Sequence, residues 1–398
     1  ATATRNLFRF SLDLRALTVS SVTVNGLSAK FWRGTGGEDK LFIAPRFGIG
    51  KHAPMYVHVR YAGVPKTYED PILGTEGFQS YGSGEAIAQG EPQVAAGWFP
   101  VNDYPTDKAT YDITITAPSS LTSLANGIEV SRHTLHGRTT THWVENRPMA
   151  SYLAMVAIGN YRVVHSVHKG LPVTLAVDKS LPKSLDKQLA ETPKILDYLE
   201  TQFGPYPFDA VGGIIQSDPH ILFAEEDQTI PVYSYDFFIG QPPSEAASVI
   251  AHELSHQWYG DSVSLDNWSD IWLNEGFATY AQWLWTQHTT GVTTKATFDA
   301  VYYGGGLPTD PPGIRTAANE FDDSAYTRGA ATLEALRIAV GSTDFHKIIR
   351  TWAIERRYGT GSTAEFIALA EKISGKKLGP LFKAWLFTAG RPAYPKKL

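Results

Sequence analysis

The pattern of apolar and polar positions changes character once along this chain, near residue 165. Before it, single residues alternate. In "YDITITAP", Tyr111, Ile113 and Ile115 alternate with Asp112, Thr114 and Thr116, the period-two signature of a strand with one buried face. "MYVHVRYAG", "TTTHWVE", "LAMVAIGNYRVV" and "LPVTLAV" have the same character and are punctuated by Gly, Pro and Asn turns. From "SLDKQLAETPKILDYLETQFG" onward the spacing is helical, and Leu185, Leu189, Ile195, Leu196 and Leu199 are predicted to lie close to one face. "STAEFIALAEKISG" opens on a capping box, Ser362 with Glu365, and closes on Gly375. "LGPLFKAWLF" is the last helix signal before a Pro-rich tail. Strand-like pieces around "GGII" and "IPVYSY" precede a long helical stretch at 244–261. The prediction is an α+β fold: an N-terminal antiparallel β domain over residues 1–165, then a mostly helical domain with a small sheet over 166–398.

Composition narrows the chemistry. The 398 residues are 43% hydrophobic and 19% charged, with a net charge of −5. Both signs are interspersed and no basic stripe appears, which argues against nucleic acid and anionic membrane as partners. No apolar run approaches the roughly 20 residues that span a bilayer. The opening "ATATRNLFRF" lacks the long apolar stretch of a signal peptide, and richness in Thr, Ser, Gly, Tyr and Trp leans the reading towards export as a mature chain, with the cytoplasm as the alternative. There is no cysteine, so a transition-metal site must use His, Asp or Glu, which suits catalytic zinc.

"SEAASVIAHELSHQWYGD" supplies such a site. Ser244 is the expected N-cap and Glu245 an acid in the first turn. His252 and His256 are four apart, one turn apart on one helical face, where one ion can touch both. Glu253 follows the first His, near enough to take a proton from water at the metal without itself being a ligand. The short HExxH pattern also arises by chance. In "IWLNEGFATYAQWLW", however, Glu275 follows His256 after eighteen intervening residues, on a second helical segment that can pack against the first. Two His and one Glu leave a fourth position open. The plain alternative for Glu275 is a first-turn helix acid.

His252-Glu253-x-x-His256 with Glu275, set in "HELSHQWYGDSV" and "WLNEGFATY", resembles the aminopeptidase N family of zinc peptidases, the gluzincins. Trp258, Gly260 and the block Trp272–Gly276 share the resemblance, which runs from about residue 90 to 340. It implies a thermolysin-like catalytic domain and one zinc per chain, held by His252, His256 and Glu275, with Glu253 as general base. "AYTRGAATL" is similar to the family's Tyr-x-Lys-Gly segment and makes Tyr326 the candidate donor to the oxyanion, with Arg328 where the family usually has Lys. The bland reading of Tyr326 is a helix-start aromatic packed on the core.

The family holds the substrate's free amine with a Gly-x-Met-Glu-Asn motif, and this chain departs from it with Phe223-Ala-Glu-Glu-Asp227. In that register Glu226 is the expected amine anchor, with Glu225, in the Met position, as runner-up; the alternative is an acidic surface loop. "WFPVNDYPTDKA" is similar to the family's N-terminal domain signature, and Glu91, twelve residues before Asp103, stands where a second amine-binding Glu or Gln is placed. A solvated loop acid is the competing reading. The expected function is hydrolysis of the first peptide bond of peptides with a free amino terminus, by a monomer. The rivals are a thermolysin-like endopeptidase, whose ligand spacing is one residue longer, and a catalytically silent binding module. A purely structural zinc site would normally close with a fourth protein ligand, and the sequence offers no obvious one.

Overall fold

Alternation becomes sheet throughout the first part of the computed structural model, which describes residues 1–34, 39–82 and 84–398. Ala109–Pro118 pairs antiparallel with Arg138–Met149, and that strand with Ile128–Leu135. On the first of these, Ile115 and Ala117 are buried while Thr114 and Thr116 face solvent, as the pattern predicts. A five-stranded antiparallel sheet runs in the order Thr122–Ala125, Val156–Gly159, Glu85–Gln89, Gly74–Tyr81, Thr67–Asp70. Its central strand, Glu85–Gln89, ends just before Glu91.

A second five-stranded sheet begins with the hairpin Tyr161–His168 and Leu171–Asp178. Leu171–Asp178 runs parallel to Val211–Gln216, which runs parallel to Val232–Ser234, and Ala224–Glu225 adds an antiparallel edge. Residue 165 therefore lies inside a strand whose hairpin belongs to this second sheet. The two parts share apolar packing: Ile87, Leu124 and Trp143 from the first cluster with Ile214, Phe223 and Val232 from the second. This braces the edge segment 223–226 from behind.

The helices are α1 (Ser184–Leu189), α2 (Thr192–Phe203), α3 (Pro243–His256), α4 (Trp272–Thr290), α5 (Thr294–Gly304), α6 (Gly329–Val340), α7 (Ser342–Glu355), α8 (Thr363–Ser374) and α9 (Gly379–Leu386). The five leucines and isoleucines expected on one face are all buried, but on two helices rather than one, because α2 restarts with Pro193 in its first turn. α8 has the predicted capping box and ends at Gly375 in the left-handed conformation. The metal-motif helix differs from expectation at both ends. Pro243, not Ser244, sets its start, since a first-turn proline lacks only an N–H the helix does not use. It stops at His256 rather than Asp261, because Gly260 turns the chain with φ +134° and the Asp261 N–H donates back to the His256 carbonyl at 3.0 Å.

Two tryptophans of the motif blocks are framework. Trp258 donates its indole N–H to the Gly204 carbonyl at 3.1 Å, and Trp272, fully buried, donates to Thr363 Oγ1 at 2.8 Å. Burying an aromatic or aliphatic side chain of this size stabilises by about 1.5–3 kcal/mol, so these residues pin α3 to the end of α2 and α4 to α8. Among the described residues no helix is long and apolar enough to cross a membrane.

Candidate metal centre and active site

α3 buries Ala246, Ile250 and Leu254 against the core and turns Val249, His252, Glu253 and His256 into a cavity of about 340 Å³. α4 crosses α3 and carries Glu275 to the same cavity. Ligand atoms of His252, His256 and Glu275 all lie within 4.8 Å of one another. His252 Nε2 is 3.2 Å and His256 Nε2 3.6 Å from Glu275 Oε2.

The hydrogen bonds on the far side of each ring decide what this meeting means. His256 Nδ1 faces the Tyr259 carbonyl at 3.1 Å, and a carbonyl only accepts, so this nitrogen carries the proton. His252 Nδ1 faces Gln282 Oε1 at 3.0 Å, while Gln282 Nε2 donates to Ser248 Oγ at 3.2 Å. His252 Nδ1 therefore donates as well. Both Nε2 atoms are thereby turned towards the Glu275 carboxylate, whose charge, against the effect of burial, favours a positive charge on the two rings and raises both above the usual histidine range. Two ring nitrogens and a carboxylate oxygen converging within 4.8 Å can hold a divalent cation in place of those protons, and imidazoles whose other nitrogen is tied to a carbonyl are the arrangement zinc ligands use. The donor set thus fits zinc.

The remaining predicted residues gather around it. Glu253 lines the cavity at 5% exposure, and burial pushes its carboxyl group up to about 7. Glu226 and Glu91 also line it, both buried, and each has one carboxylate oxygen without a hydrogen-bond partner, that of Glu226 lying 3.9 Å from His256 Nδ1. Ligand atoms of Glu91, Glu226 and Glu275 lie within 4.8 Å of one another. Neither Glu226 nor Glu91 is a solvated loop acid. Glu225 goes elsewhere: it does not line the cavity, and its Oε1 accepts from the Gly90 N–H at 2.9 Å. Glu225 ends the edge strand and Glu226 follows it, and of these successive residues only the second lines the cavity, so one position separates a cavity acid from a framework acid.

Tyr326 lines the same cavity, its ring stacked at 18° and 6.0 Å over that of His252. It sits on a single π-helical turn, Ser324–Arg328, that leads into α6; such turns redirect side chains out of regular helical register. Burial and the nearby carboxylates, Glu275 first among them, push its hydroxyl well above the usual tyrosine range, so it is a proton donor at neutral pH. Arg328 closes the turn. Fully buried, its guanidinium donates to seven backbone carbonyls: those of Pro308, Thr309 and Asp310, and of Ala384, Trp385, Thr388 and Gly390. α4 and α6 meet at glycines. A Cβ on Gly276 would lie 2.8 Å from Gly329 Cα, so the two backbones are in contact where Glu275 and the Tyr326 turn come together.

Several contributors carry no motif. Gln282 had a readable signal, a polar residue two turns beyond Glu275 on the same face of an otherwise apolar helix. The Tyr259 carbonyl had none. Gly329 is legible as a partner of Gly276 only once the helices are seen to cross. The rest of the cavity wall is apolar: Ile72, Leu73, Leu222, Phe223, Phe237 and Val249.

Family models match both parts of the chain. A model of the peptidase M1 N-terminal domain matches residues 12–153, and one of the peptidase family M1 domain matches residues 187–385. Aminopeptidase M1-B of Oryza sativa subsp. japonica is 26% identical over 388 residues, covering 91% of this chain and 44% of that protein. Aminopeptidase M1-C of the same plant is 28% identical over 337 residues, covering 79% and 38%. The chain thus spans less than half the length of these curated relatives. Over its full length it is similar to an M1 zinc metallopeptidase from Deinococcus radiodurans solved as a mutant with a Tyr-Ser-Ala substrate, with a TM-score of 0.89, 26% identity, and coverage of 100% of this chain and 90% of that one. With both domain models in place and the M1 domain alone matching half of the 398 residues, the chain belongs to peptidase family M1.

Proposed function

We propose that this chain is a zinc-dependent aminopeptidase that hydrolyses the N-terminal peptide bond of peptides with a free amino terminus. The observation that carries the reading is the pair of buried, incompletely partnered carboxylates, Glu226 and Glu91, standing within 4.8 Å of the Glu275 carboxylate at one end of the cavity. A buried carboxylate without a partner is costly, and a substrate ammonium supplies the missing charge and donors.

His252, His256 and Glu275 would hold one zinc ion. Zinc, when bound, polarises the scissile carbonyl and acidifies water. Glu253 takes the proton of the attacking water and passes it to the leaving nitrogen, a role suited to a carboxyl group that burial holds near neutrality. The Tyr326 hydroxyl donates to the oxygen that gains charge as the carbonyl carbon becomes tetrahedral. Glu226 and Glu91 pair with the ammonium and so decide which bond meets Glu253. The apolar wall favours uncharged side chains beside that bond, and the carboxylates at the amine end disfavour an acidic first residue.

An endopeptidase needs a cleft that accepts chain on both sides of the metal. Here two acids occupy one side, which speaks for the exopeptidase. The intact set of Glu253, Tyr326 and three ligand positions speaks against a silent binding module. The test is release of leucine from leucine amide, with N-acetyl-leucine amide as control. Turnover of the first alone, abolished by a chelator, restored by zinc and lost in Glu253→Gln, is expected. Equal turnover of the acetylated compound would end the aminopeptidase reading.

A further inference from the structure

Behind the proposed amine site stand two acids that the mechanism does not use. Glu76, on strand Gly74–Tyr81, and Glu225, on edge strand Ala224–Glu225, are each 1% exposed. Neither lines the cavity. They accept from consecutive backbone amides: the Gly90 N–H donates to Glu225 Oε1 at 2.9 Å, and the Glu91 N–H to Glu76 Oε2 at 2.7 Å. One acceptor comes from the N-terminal sheet and the other from the catalytic domain. Both amides are buried just past the end of strand Glu85–Gln89, where the sheet ladder no longer serves them, and buried amides must find an acceptor. Gly90 makes the approach possible. Its φ is +130°, and a Cβ there would lie 2.6 Å from Glu76 Oε2 and 2.9 Å from Val94 Cγ2.

We infer that Glu76 and Glu225 are positioning residues that clamp the Gly90–Glu91 backbone from two sides and thereby aim the Glu91 carboxyl group at the substrate ammonium. The inference rests on the amine-anchor reading above. Position 225 is where the family motif has methionine, whose side chain is a poor acceptor. The clamp is therefore tied to this chain's departure from that motif. Charge supports the arrangement. Burial pushes Glu76 up to about 8, and burial together with Asp227 and Glu76 pushes Glu225 well above the carboxylate range. Burial thus disfavours the charged form of both. They orient Glu91 without competing for the ammonium, and glutamine matches their neutral form in shape and acceptor.

Two inhibitors separate this role from a general structural one. Leucine hydroxamate and 4-methylpentanohydroxamate share a metal-chelating group and a side chain and differ only in the α-amine. On the zinc-loaded enzyme, the ratio of their inhibition constants reads the contribution of the amine site. Loss of one oriented hydrogen bond corresponds to roughly tenfold. Glu225→Met and Glu76→Leu are each expected to raise the leucine hydroxamate constant about tenfold and leave the other unchanged, so that the ratio of the first to the second rises about tenfold. KM for leucine amide should rise by a similar factor while kcat changes by less than about twofold. Glu225→Gln and Glu76→Gln retain a carbonyl acceptor and should keep the wild-type ratio. An unchanged ratio in folded, zinc-loaded Glu225→Met or Glu76→Leu would overturn the clamp, as would equal losses for both inhibitors or glutamine variants as impaired as the apolar ones. Thermal melting and zinc content establish that each variant is folded; if Glu225→Met does not fold, Glu76→Leu tests the same backbone from the other side. A wild-type enzyme indifferent to the α-amine is a different failure: it removes the anchor reading itself, and the clamp with it.

Discussion

Gly276→Ala asks whether one helix crossing sets the proposed metal site and the proposed oxyanion donor together. The new Cβ would lie 2.8 Å from both Cα and the carbonyl carbon of Gly329, and 3.3 Å from the Ala330 nitrogen. Non-bonded carbons rest about 3.5–4.0 Å apart, so α4 and α6 must separate by roughly 0.7–1.2 Å at this point. The obstacle is backbone, not the end of a flexible side chain, and cannot rotate away. Overpacking of this kind costs about 1–3 kcal/mol. Glu275 is the neighbouring residue on one helix, and Tyr326 lies three residues before Gly329 on the approach to the other. The separation should therefore move a metal ligand and the oxyanion donor apart, and displacement by about 1 Å is enough for a loss near 100-fold in rate. The expected result is kcat/KM for leucine amide down about 100-fold, with weaker zinc retention against a competing chelator and a lower melting temperature. Gly329→Ala, whose Cβ would lie 2.8 Å from Gly276 Cα, should reproduce all three. A Gly276→Ala enzyme with full activity and zinc affinity would refute the idea that this contact fixes the site.

Tyr326→Phe should lower kcat by about 10²–10³ while leaving KM for leucine amide nearly unchanged, since the lost hydrogen bond forms only as charge develops; a proportional rise in KM instead would assign the hydroxyl to substrate binding. Gln282→Leu removes the acceptor that orients His252 and should weaken zinc binding by about 10–100-fold without unfolding the chain, as read by chelator competition. Glu145 is 2% exposed, and burial pushes it from 4.5 up to about 7. The folded state then keeps a proton that the unfolded chain releases at 4.5, so Glu145 favours the fold most below that pH and progressively less as pH rises through 7. Relative to Glu145→Gln, the wild type should lose melting temperature between pH 5 and 8; parallel curves for the two proteins would show that this group is not linked to folding.

How much of this was readable from sequence depended on the length scale of each signal. Alternation in 109–118 and the capping box at Ser362 are local patterns and appear in the structure as read. The metal motif was equally legible, because helical geometry alone puts His252 and His256 on one face. The start of α3 was misplaced because Pro243 outweighed a good capping residue, and its end because Gly260 is a turn glycine and not a late helix residue. The choice between Glu225 and Glu226 needed the strand register. Gly329, the Tyr259 carbonyl and Glu76 act across long sequence separations through backbone contacts, which leave no trace in composition or spacing.

The seven carbonyls around Arg328 make the far end of the chain a fastener for the catalytic turn. Four of them belong to residues 384–390, more than fifty positions beyond Tyr326. Cleavage ahead of Ala384, or a fusion that pulls this segment away, would strip a cation in the protein interior of most of its solvating dipoles, a cost of several kcal/mol per ion. The proposed activity would then be silenced from a distance, with His252, Glu253, His256 and Glu275 all still in the polypeptide.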